Sequence, residues 1–391
     1  MESQRVAGFG TTIFTEMSRL AQSLGAVNLG QGFPDFDGPE EIREAAISAI
    51  RNGVNQYAIT TGALALRQAV AAHALRFYGQ QLDPSNQVTV TSGATEAIFD
   101  AVMAFVNPGD EVVLFEPFYD SYQASVQMAG GVARYVRLRP PDAAHETWWF
   151  DEAHLAAAFS DRTKLVMLNT PHNPTGKLFT VDEITVIGSL AKKHGALVIS
   201  DEVYEHLVFS PHAHVRPATV GDLAERTVTI SSGGKSFSFT GWKIGWALGP
   251  AALVAAVQKA HQWVTFASAA PFQAAIAAAL ALPDSYFTQL QNEYQQKRDF
   301  LAAALNSAGL PVYRCDGAYF LIADISKTGL EDTAFCRWLV NEVKVASIPT
   351  SVFFAEAHRM HARHLVRFAF CKTDAVLSEA ARRLKAFADA R

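Results

Sequence analysis

Residues 227–238 read TVTISSGGKSFS, an apolar strand-like run that ends in four small residues and a lysine. Small residues let the backbone approach a ligand closely, and their free amides bind anions. Lys235 is the only charged residue of the stretch. It suits either a phosphate contact or a Schiff base with a carbonyl group. The stretch alone is equally compatible with a solvated surface lysine, so its meaning depends on the rest of the chain.

Apolar runs alternate with helical patterns over the residues that precede this stretch. The runs are continuous rather than alternating, which is typical of strands covered on both faces. The pattern predicts an α/β fold with a doubly wound, mainly parallel sheet. The predicted strands are Val88–Thr91, Glu111–Phe115, Ala133–Leu138, Lys164–Asn169, Ala196–Ser200 and Thr227–Ile230.

The alternation ends near Pro283, where a long charged helical pattern begins. Short strands and helices of mixed order follow it, which indicates a second, α+β domain. We therefore predict three parts: an N-terminal segment, residues 1–40, that packs with the small domain; a large domain, residues 41–282; and a small C-terminal domain, residues 283–391.

Composition excludes several classes of function. The 391 residues are 49% hydrophobic and 18% charged, with a net charge of −5, so no basic surface for nucleic acid or anionic membrane is expected. Residues 1–10 lack the apolar centre of a signal peptide, and no apolar stretch is long enough to span a membrane. The three widely spaced cysteines fit neither a disulfide framework nor a zinc site. We expect a cytoplasmic protein without a metal.

Unusual polar residues follow the predicted strands, at the edge where ligands bind in such sheets. Ser92–Thr95 stands at a strand-to-helix turn and is suited to binding a phosphate, or simply to capping the helix. Asn173 lies in a loop with two prolines and is either a ligand donor or part of a rigid turn. Asp201 ends an apolar run, so its carboxylate needs a cationic partner or caps a helix. Lys243 is a second cation near Lys235, or an edge-strand lysine.

Together these groups supply a phosphate site, a buried carboxylate and an amine nucleophile. Pyridoxal phosphate chemistry requires this set. The lysine forms a Schiff base with the cofactor, the carboxylate keeps the pyridine nitrogen protonated, and the freed amine moves a proton.

The sequence resembles the fold-type I, class I/II aminotransferases, whose large domain has a seven-stranded sheet. Within them it is similar to the kynurenine, glutamine and methionine aminotransferase branch, and also to succinyldiaminopimelate aminotransferases. The resemblance covers essentially the whole chain. It is carried, in order, by the motifs at residues 28–36, 55–57, 92–97, 116–122, 169–176, 200–204, 232–246 and 365–368.

The resemblance implies a role for each matching residue. Lys235, Asp201 and Tyr204 are the implied catalytic residues, with Asp201 on the pyridine nitrogen and Tyr204 and Asn173 on the ring oxygen. Tyr119 is expected to stack on the ring. The implied phosphate ligands are Ala94, Thr95, Ser232, Lys243 and, from a neighbouring subunit, Tyr57. Arg367 is expected to bind the substrate carboxylate, aided by Gly32, and the implied side-chain pocket consists of Phe14, Phe266 and Phe353.

The implied activity is transfer of an amino group from an L-amino acid to a 2-oxo acid by a ping-pong mechanism. A pocket of phenylalanines favours methionine, aromatic or kynurenine-like donors. The similarity to succinyldiaminopimelate aminotransferases indicates an alternative that needs a cation, for which Arg5 and Arg19 are candidates. A β-lyase activity on cysteine conjugates uses the same residues. A non-enzymatic ligand sensor is disfavoured because no basic DNA-binding segment is present. The expected assembly is a homodimer with sites at the subunit interface.

Overall fold

The structure is a computed structural model that describes residues 2–3, 5–10 and 12–389. Helices alternate with the strands of the large sheet, as the helical patterns predict, and two more lie between that sheet and the long charged helix. The α-helices are α1 (Ile13–Ser23), α2 (Glu40–Arg51), α3 (Leu64–Tyr78), α4 (Gly93–Phe105), α5 (Asp120–Met128), α6 (Glu152–Ala157), α7 (Val181–Lys193), α8 (Gly233–Ser236), α9 (Ala251–Val264), α10 (Ala270–Leu280), α11 (Asp284–Ser307), α12 (Asp332–Trp338) and α13 (Asp374–Asp389).

The strands form one large sheet, one three-stranded sheet and one short pair. They are β1 (Val27–Asn28), β2 (Val88–Thr91), β3 (Glu111–Glu116), β4 (Val132–Arg137), β5 (Thr163–Asn169), β6 (Leu197–Asp201), β7 (Thr227–Ser232), β8 (Gly245–Leu248), β9 (Phe320–Asp324), β10 (Val345–Ala346), β11 (Ile348–Pro349) and β12 (Leu365–Ala369).

The large sheet has seven strands in the order β2-β8-β7-β6-β5-β3-β4. β8 runs antiparallel to both neighbours, and the other pairings are parallel. The prediction of a doubly wound, mainly parallel seven-stranded sheet is therefore confirmed. Side chains of β3, β5 and β6 enter one apolar cluster on each face of this sheet, which explains their continuous apolar sequences.

The C-terminal part contains the antiparallel sheet β11-β12-β9, flanked by α11, α12 and α13. β1 pairs in parallel with β10, and Met17 and Ala21 of α1 are buried in the same apolar cluster as β9 and β12. The N-terminal segment thus contacts the C-terminal part of the chain. The three-part division itself remains a prediction.

Parallel register places the ends of the central strands side by side. Asn169 of β5 lies opposite Asp201 of β6, and Asp201 lies opposite Ile230 of β7. The turn into α4 meets β8 very closely, since a Cβ on Gly245 would stand 2.5 Å from the carbonyl carbon of Gly93. Only glycine allows that approach, and it brings α4 against the strand ends. Among the described residues, no helix combines the length and apolarity needed to cross a membrane.

Candidate active site

A cavity of 390 Å³ opens at the carboxyl ends of β5, β6 and β7. Strand-end side chains and the start of α4 make one wall, and residues of the N-terminal segment make the other. The predicted site residues that line it are Phe14, Gly32, Ala94, Thr95, Tyr119, Asn173, Asp201, Tyr204, Ser232, Lys235, Lys243 and Arg367.

Lys235 projects into the cavity from α8, the short helix that follows β7. Its Nζ donates to the Tyr319 hydroxyl at 2.9 Å and to the Gly32 carbonyl at 3.4 Å. Burial lowers the pKa of the lysine from its usual value to about 8. About a tenth of the amine is therefore uncharged at pH 7, far more than for an ordinary lysine, and the uncharged form is the one that a nucleophile or a base requires.

Asp201 ends β6 with its carboxylate buried in the cavity wall. Oδ2 accepts from the Tyr122 hydroxyl at 2.6 Å, and Oδ1 accepts from the Val203 amide at 3.3 Å. Burial raises the pKa of this carboxyl to about 6, despite the Tyr122 hydrogen bond. A cation against the carboxylate would offset the cost of its burial.

Arg367 of β12 reaches the cavity from the opposite side and is itself 2% exposed. Nη1 donates to Asn173 Oδ1 at 3.1 Å, Nη2 donates to the Gly30 carbonyl at 2.8 Å, and Nε has no hydrogen-bond partner among the described residues. The guanidinium carbon lies 4.1 Å from the ring centroid of Phe320. Burial lowers its pKa to about 10, so it stays cationic and is suited to binding a carboxylate.

The turn into α4 presents free amides to the cavity. No side chain caps the helix, so the first amides, including those of Ala94 and Thr95, lack intrahelical acceptors. Lys243 lies directly over the turn, because a Cβ on Gly93 would stand 3.1 Å from its Nζ. The Tyr119 hydroxyl hydrogen-bonds the Thr95 side chain. Amides at a helix start and one cation form an anion site.

The structure places three predicted residues outside the cavity lining of their own chain. Tyr57 is 85% exposed and packs edge-on against Phe266, with ring centroids 5.5 Å apart. Phe353 is fully buried, with its ring edge-on to Phe14 at 5.6 Å and beneath the Arg367 guanidinium at 4.8 Å. Phe353 thus supports the cavity wall from behind. A cavity role for Tyr57 and Phe266 requires a second chain.

Sequence reasoning gave no role to three residues that the geometry makes important. Tyr122 binds Asp201, Tyr319 binds Lys235, and Asn169 accepts the Asn173 amide at 2.7 Å while donating to the Asp201 carbonyl at 2.9 Å. Tyr122 and Asn169 stand inside motifs that carry the resemblance, so attention to those motifs would have found them. Tyr319 follows two small residues and directly precedes β9, and no local signal marks it.

Comparison with known proteins places the chain in one family. Residues 25–384 match the family described as aminotransferase class I and II. A probable N-succinyldiaminopimelate aminotransferase of Mycobacterium tuberculosis is 46% identical over 100% of this chain and 99% of its own length. Kynurenine–oxoglutarate transaminase 3 of Mus musculus is 40% identical over 97% of this chain and 88% of its own. A crystal structure from Escherichia coli, of a protein with an identified methionine aminotransferase function, is 42% identical with a TM-score of 0.93 and covers 99% of both chains.

Proposed function

The chain belongs to the class I and II aminotransferases and is an aminotransferase. We propose that it uses pyridoxal phosphate to move an amino group to a 2-oxo acid. The proposed amino donor is a methionine-like, aromatic or kynurenine-like L-amino acid. One observation carries the proposal. A lysine amine, a buried carboxylate, a helix-start anion site and a buried arginine line a single cavity.

The residues present fit this cofactor. Asp201 is a buried carboxylate without a cationic hydrogen-bond partner among the described residues, and a protonated pyridine nitrogen would be one. The amides of α4 together with Lys243 and Ser232 would hold the phosphate, and Tyr119 and Asn173 line the space for the ring. When bound, pyridoxal phosphate supplies an aldehyde that captures amines and a ring that withdraws electrons from the substrate.

Residues of the chain itself bind the substrate and move the proton. Arg367 binds the substrate α-carboxylate, because its Nε and cationic charge are held ready in a buried position. Tyr319 and Gly32 hold the Lys235 amine at the cavity. That amine, with its lowered pKa, takes the proton from the substrate Cα and returns a proton to the product. Burial of these groups keeps water from the reacting atoms.

The proposed donor class follows from the wall beside Arg367. Phe14, Phe33 and Phe320 line the cavity, and the centroid of the Phe320 ring lies 4.1 Å from the Arg367 guanidinium carbon. Phe14 lies 5.3 Å from the Arg367 guanidinium, so the side chain of a donor held by its carboxylate would meet aromatic surface. This supports methionine, phenylalanine or kynurenine as donors.

A donor screen tests the proposal. The protein loaded with pyridoxal phosphate would be mixed with single amino acids, without oxo acid, and the cofactor absorbance followed. We expect fast conversion with methionine, phenylalanine and kynurenine, and slow conversion with glutamate. Release of pyruvate and ammonia from a cysteine conjugate, without an oxo acid, would instead identify the β-lyase activity. If none of the amino acids converted the cofactor, the proposal would be contradicted.

A specific observation favours a second donor, N-succinyldiaminopimelate. A second cavity of 520 Å³ adjoins the first and shares Phe14 and Gln31 with it. Arg19 lines this second cavity, is exposed, and forms no hydrogen bond or ion pair with the described residues. A long donor could place its distal carboxylate there. Arg5, the other predicted cation, lines neither cavity. If only N-succinyldiaminopimelate converted the cofactor in the donor screen, it would be identified as the donor in place of the aromatic class.

We also propose that the active form is a homodimer. Tyr57 and Phe266 form an exposed aromatic pair, and Ile59, Trp263 and Val264, each within three residues of one of them in the sequence, are exposed as well, with Trp263 at 83%. Several large apolar residues exposed in this way are typical of a protein interface. A second copy seated here would bring Tyr57 to a neighbouring phosphate site. Sedimentation analysis should show a dimer, and Trp263→Glu should shift it toward monomer and weaken cofactor binding. A stable wild-type monomer with full activity would contradict this.

A further inference from the structure

A buried cluster of three titratable side chains lies directly beneath the turn that carries the proposed phosphate site. Glu96 and Asp100 stand one turn apart on α4, and His261 faces them from α9. His261 Nδ1 lies 2.9 Å from Glu96 Oε1 and 3.8 Å from Asp100 Oδ2. His261 and Asp100 are fully buried, and Glu96 is 9% exposed. None of the three has a role in the mechanism described above.

Glu96 connects this cluster to the turn. Its Oε2 accepts the backbone amide of Ser92, and its Oε1 is hydrogen-bonded to His261. Ser92 is the residue at which β2 gives way to α4, so its position determines where the amides of Ala94 and Thr95 point. Charged hydrogen bonds to backbone amides are among the stronger ones in proteins. The Glu96–His261 pair therefore fixes the turn from behind.

Asp100 is the unsatisfied member of the cluster. Neither of its carboxylate oxygens has a hydrogen-bond partner among the described residues. The charged groups that face it are Glu96 on its own helix and His261 on α9. Burial, and then the neighbouring Glu96 charge, raise the pKa of Asp100 to about 7. Asp100 is thus protonated below about pH 7. At higher pH it ionises and adds a second negative charge beneath the turn.

The cluster has metal-ligating residue types, yet the Glu96 oxygens and His261 Nδ1 are already hydrogen-bonded. Glu96 has both oxygens in hydrogen bonds, and one of these occupies His261 Nδ1. Of the side-chain oxygens and nitrogens in the cluster, only the Asp100 oxygens and His261 Nε2 lack a hydrogen-bond partner among the described residues, and one carboxylate with one imidazole does not make a metal site. The cluster is better suited to supporting the turn than to binding a cation.

We propose that Glu96 and His261 are positioning residues for the phosphate-binding turn, and that Asp100 weakens phosphate binding when it ionises. This inference rests on the proposed use of pyridoxal phosphate. It concerns affinity for the phosphate group rather than the rate of transfer, because none of the three residues lines the cavity.

The first test compares cofactor affinity in Glu96→Gln and in a matched control. Glu152→Gln makes the same change in the first turn of α6, where Glu152 is exposed and does not line the cavity. Apoprotein would be titrated with pyridoxal phosphate by absorbance, and with inorganic phosphate by competition. We expect the dissociation constant of Glu96→Gln to rise about tenfold, as for one weakened charged hydrogen bond, and that of the control to stay unchanged. Equal constants in both variants would overturn the positioning role.

The second test uses Asp100→Asn, which keeps the shape and removes the charge. The ratio of the wild-type to the Asp100→Asn dissociation constant should be near one at pH 5.5. It should rise to about three- to tenfold at pH 8.5, because only the wild type gains a charge beneath the turn. A ratio that does not change with pH would overturn the role of Asp100, and so would stoichiometric Zn²⁺ binding to the wild type. Wild-type protein that binds no pyridoxal phosphate at any pH would instead refute the proposed function.

Discussion

The two walls of the cavity differ in how they are built. The strand-end wall, made by the ends of β5, β6 and β7 with the start of α4, is buried and crossed by hydrogen bonds such as Asn169 to Asp201 and Tyr122 to Asp201. The rim wall, made by Phe14 and Gln31 of the N-terminal segment, rests on few polar contacts, among them Gln31 to Ser18 at 2.8 Å. The strand-end wall is therefore the more firmly held of the two, and we propose that it fixes the reacting groups while the rim wall selects the donor.

The largest expected effect comes from the strand-end wall. Lys235→Ala should lower the transamination rate at least about 10³-fold, because it removes the amine that we propose both holds the cofactor and moves the proton. Steady-state rates with saturating pyridoxal phosphate measure this. Lys243→Ala is the matched control: it should weaken cofactor binding yet recover most of its rate when the cofactor is in excess. Near wild-type turnover in Lys235→Ala would contradict the assignment of the reacting groups to the strand-end wall.

The next effect tests the arginine that bridges the walls. Arg367→Ala should raise KM for the amino donor about 100-fold with little change in cofactor affinity, because a bidentate charged contact to the substrate is lost. The KM of Arg367→Lys should lie between those of Arg367→Ala and the wild type, since lysine keeps the charge but cannot make the bidentate contact of a guanidinium group. Arg51→Ala, an exposed arginine at the end of α2, is the control. Equal losses of substrate and cofactor binding would indicate a structural role for Arg367.

A smaller effect concerns the protonation of Lys235. Its pKa of about 8 means that the uncharged amine increases about tenfold between pH 7 and well above pH 8, then levels off. The rate at which apoprotein incorporates pyridoxal phosphate should follow that curve. A rate that keeps rising toward pH 10.5 would show an ordinary lysine, and would contradict the buried environment of the strand-end wall.

The smallest effects belong to the rim wall and depend on the donor. Phe14→Ala should lower kcat/KM about three- to tenfold for methionine and phenylalanine, because part of an apolar contact is lost. Arg19→Ala should leave those donors unchanged and should impair only a donor with a distal carboxylate. Competition between donor pairs measures both. An equal fall in kcat/KM for all donors in Arg19→Ala would show that α1, which carries Arg19, matters for folding rather than for donor selection.

The strand-end wall was predictable from sequence because its rules are local. Continuous apolar runs indicate buried parallel strands, and the residues that follow them must meet at one edge, which brought Asp201, Asn173 and Lys235 together. The rim was less predictable because it depends on distant packing. Phe353 supports Arg367 from behind, and Tyr319 reaches Lys235 across 84 residues of sequence. Tyr57 and Phe266 are exposed and lie outside the cavity lining of their own chain, so the fold of one chain does not bring them to the site.

The most direct test of the account is the identity of the lysine that carries the cofactor. The wild-type protein would be loaded with pyridoxal phosphate, reduced with borohydride to fix the bond between the aldehyde and its amine, and mapped by mass spectrometry. The account predicts one adduct per chain, on Lys235, and none on Lys243. An adduct on Lys243, or the absence of a specific adduct under conditions where the protein transaminates, would contradict it.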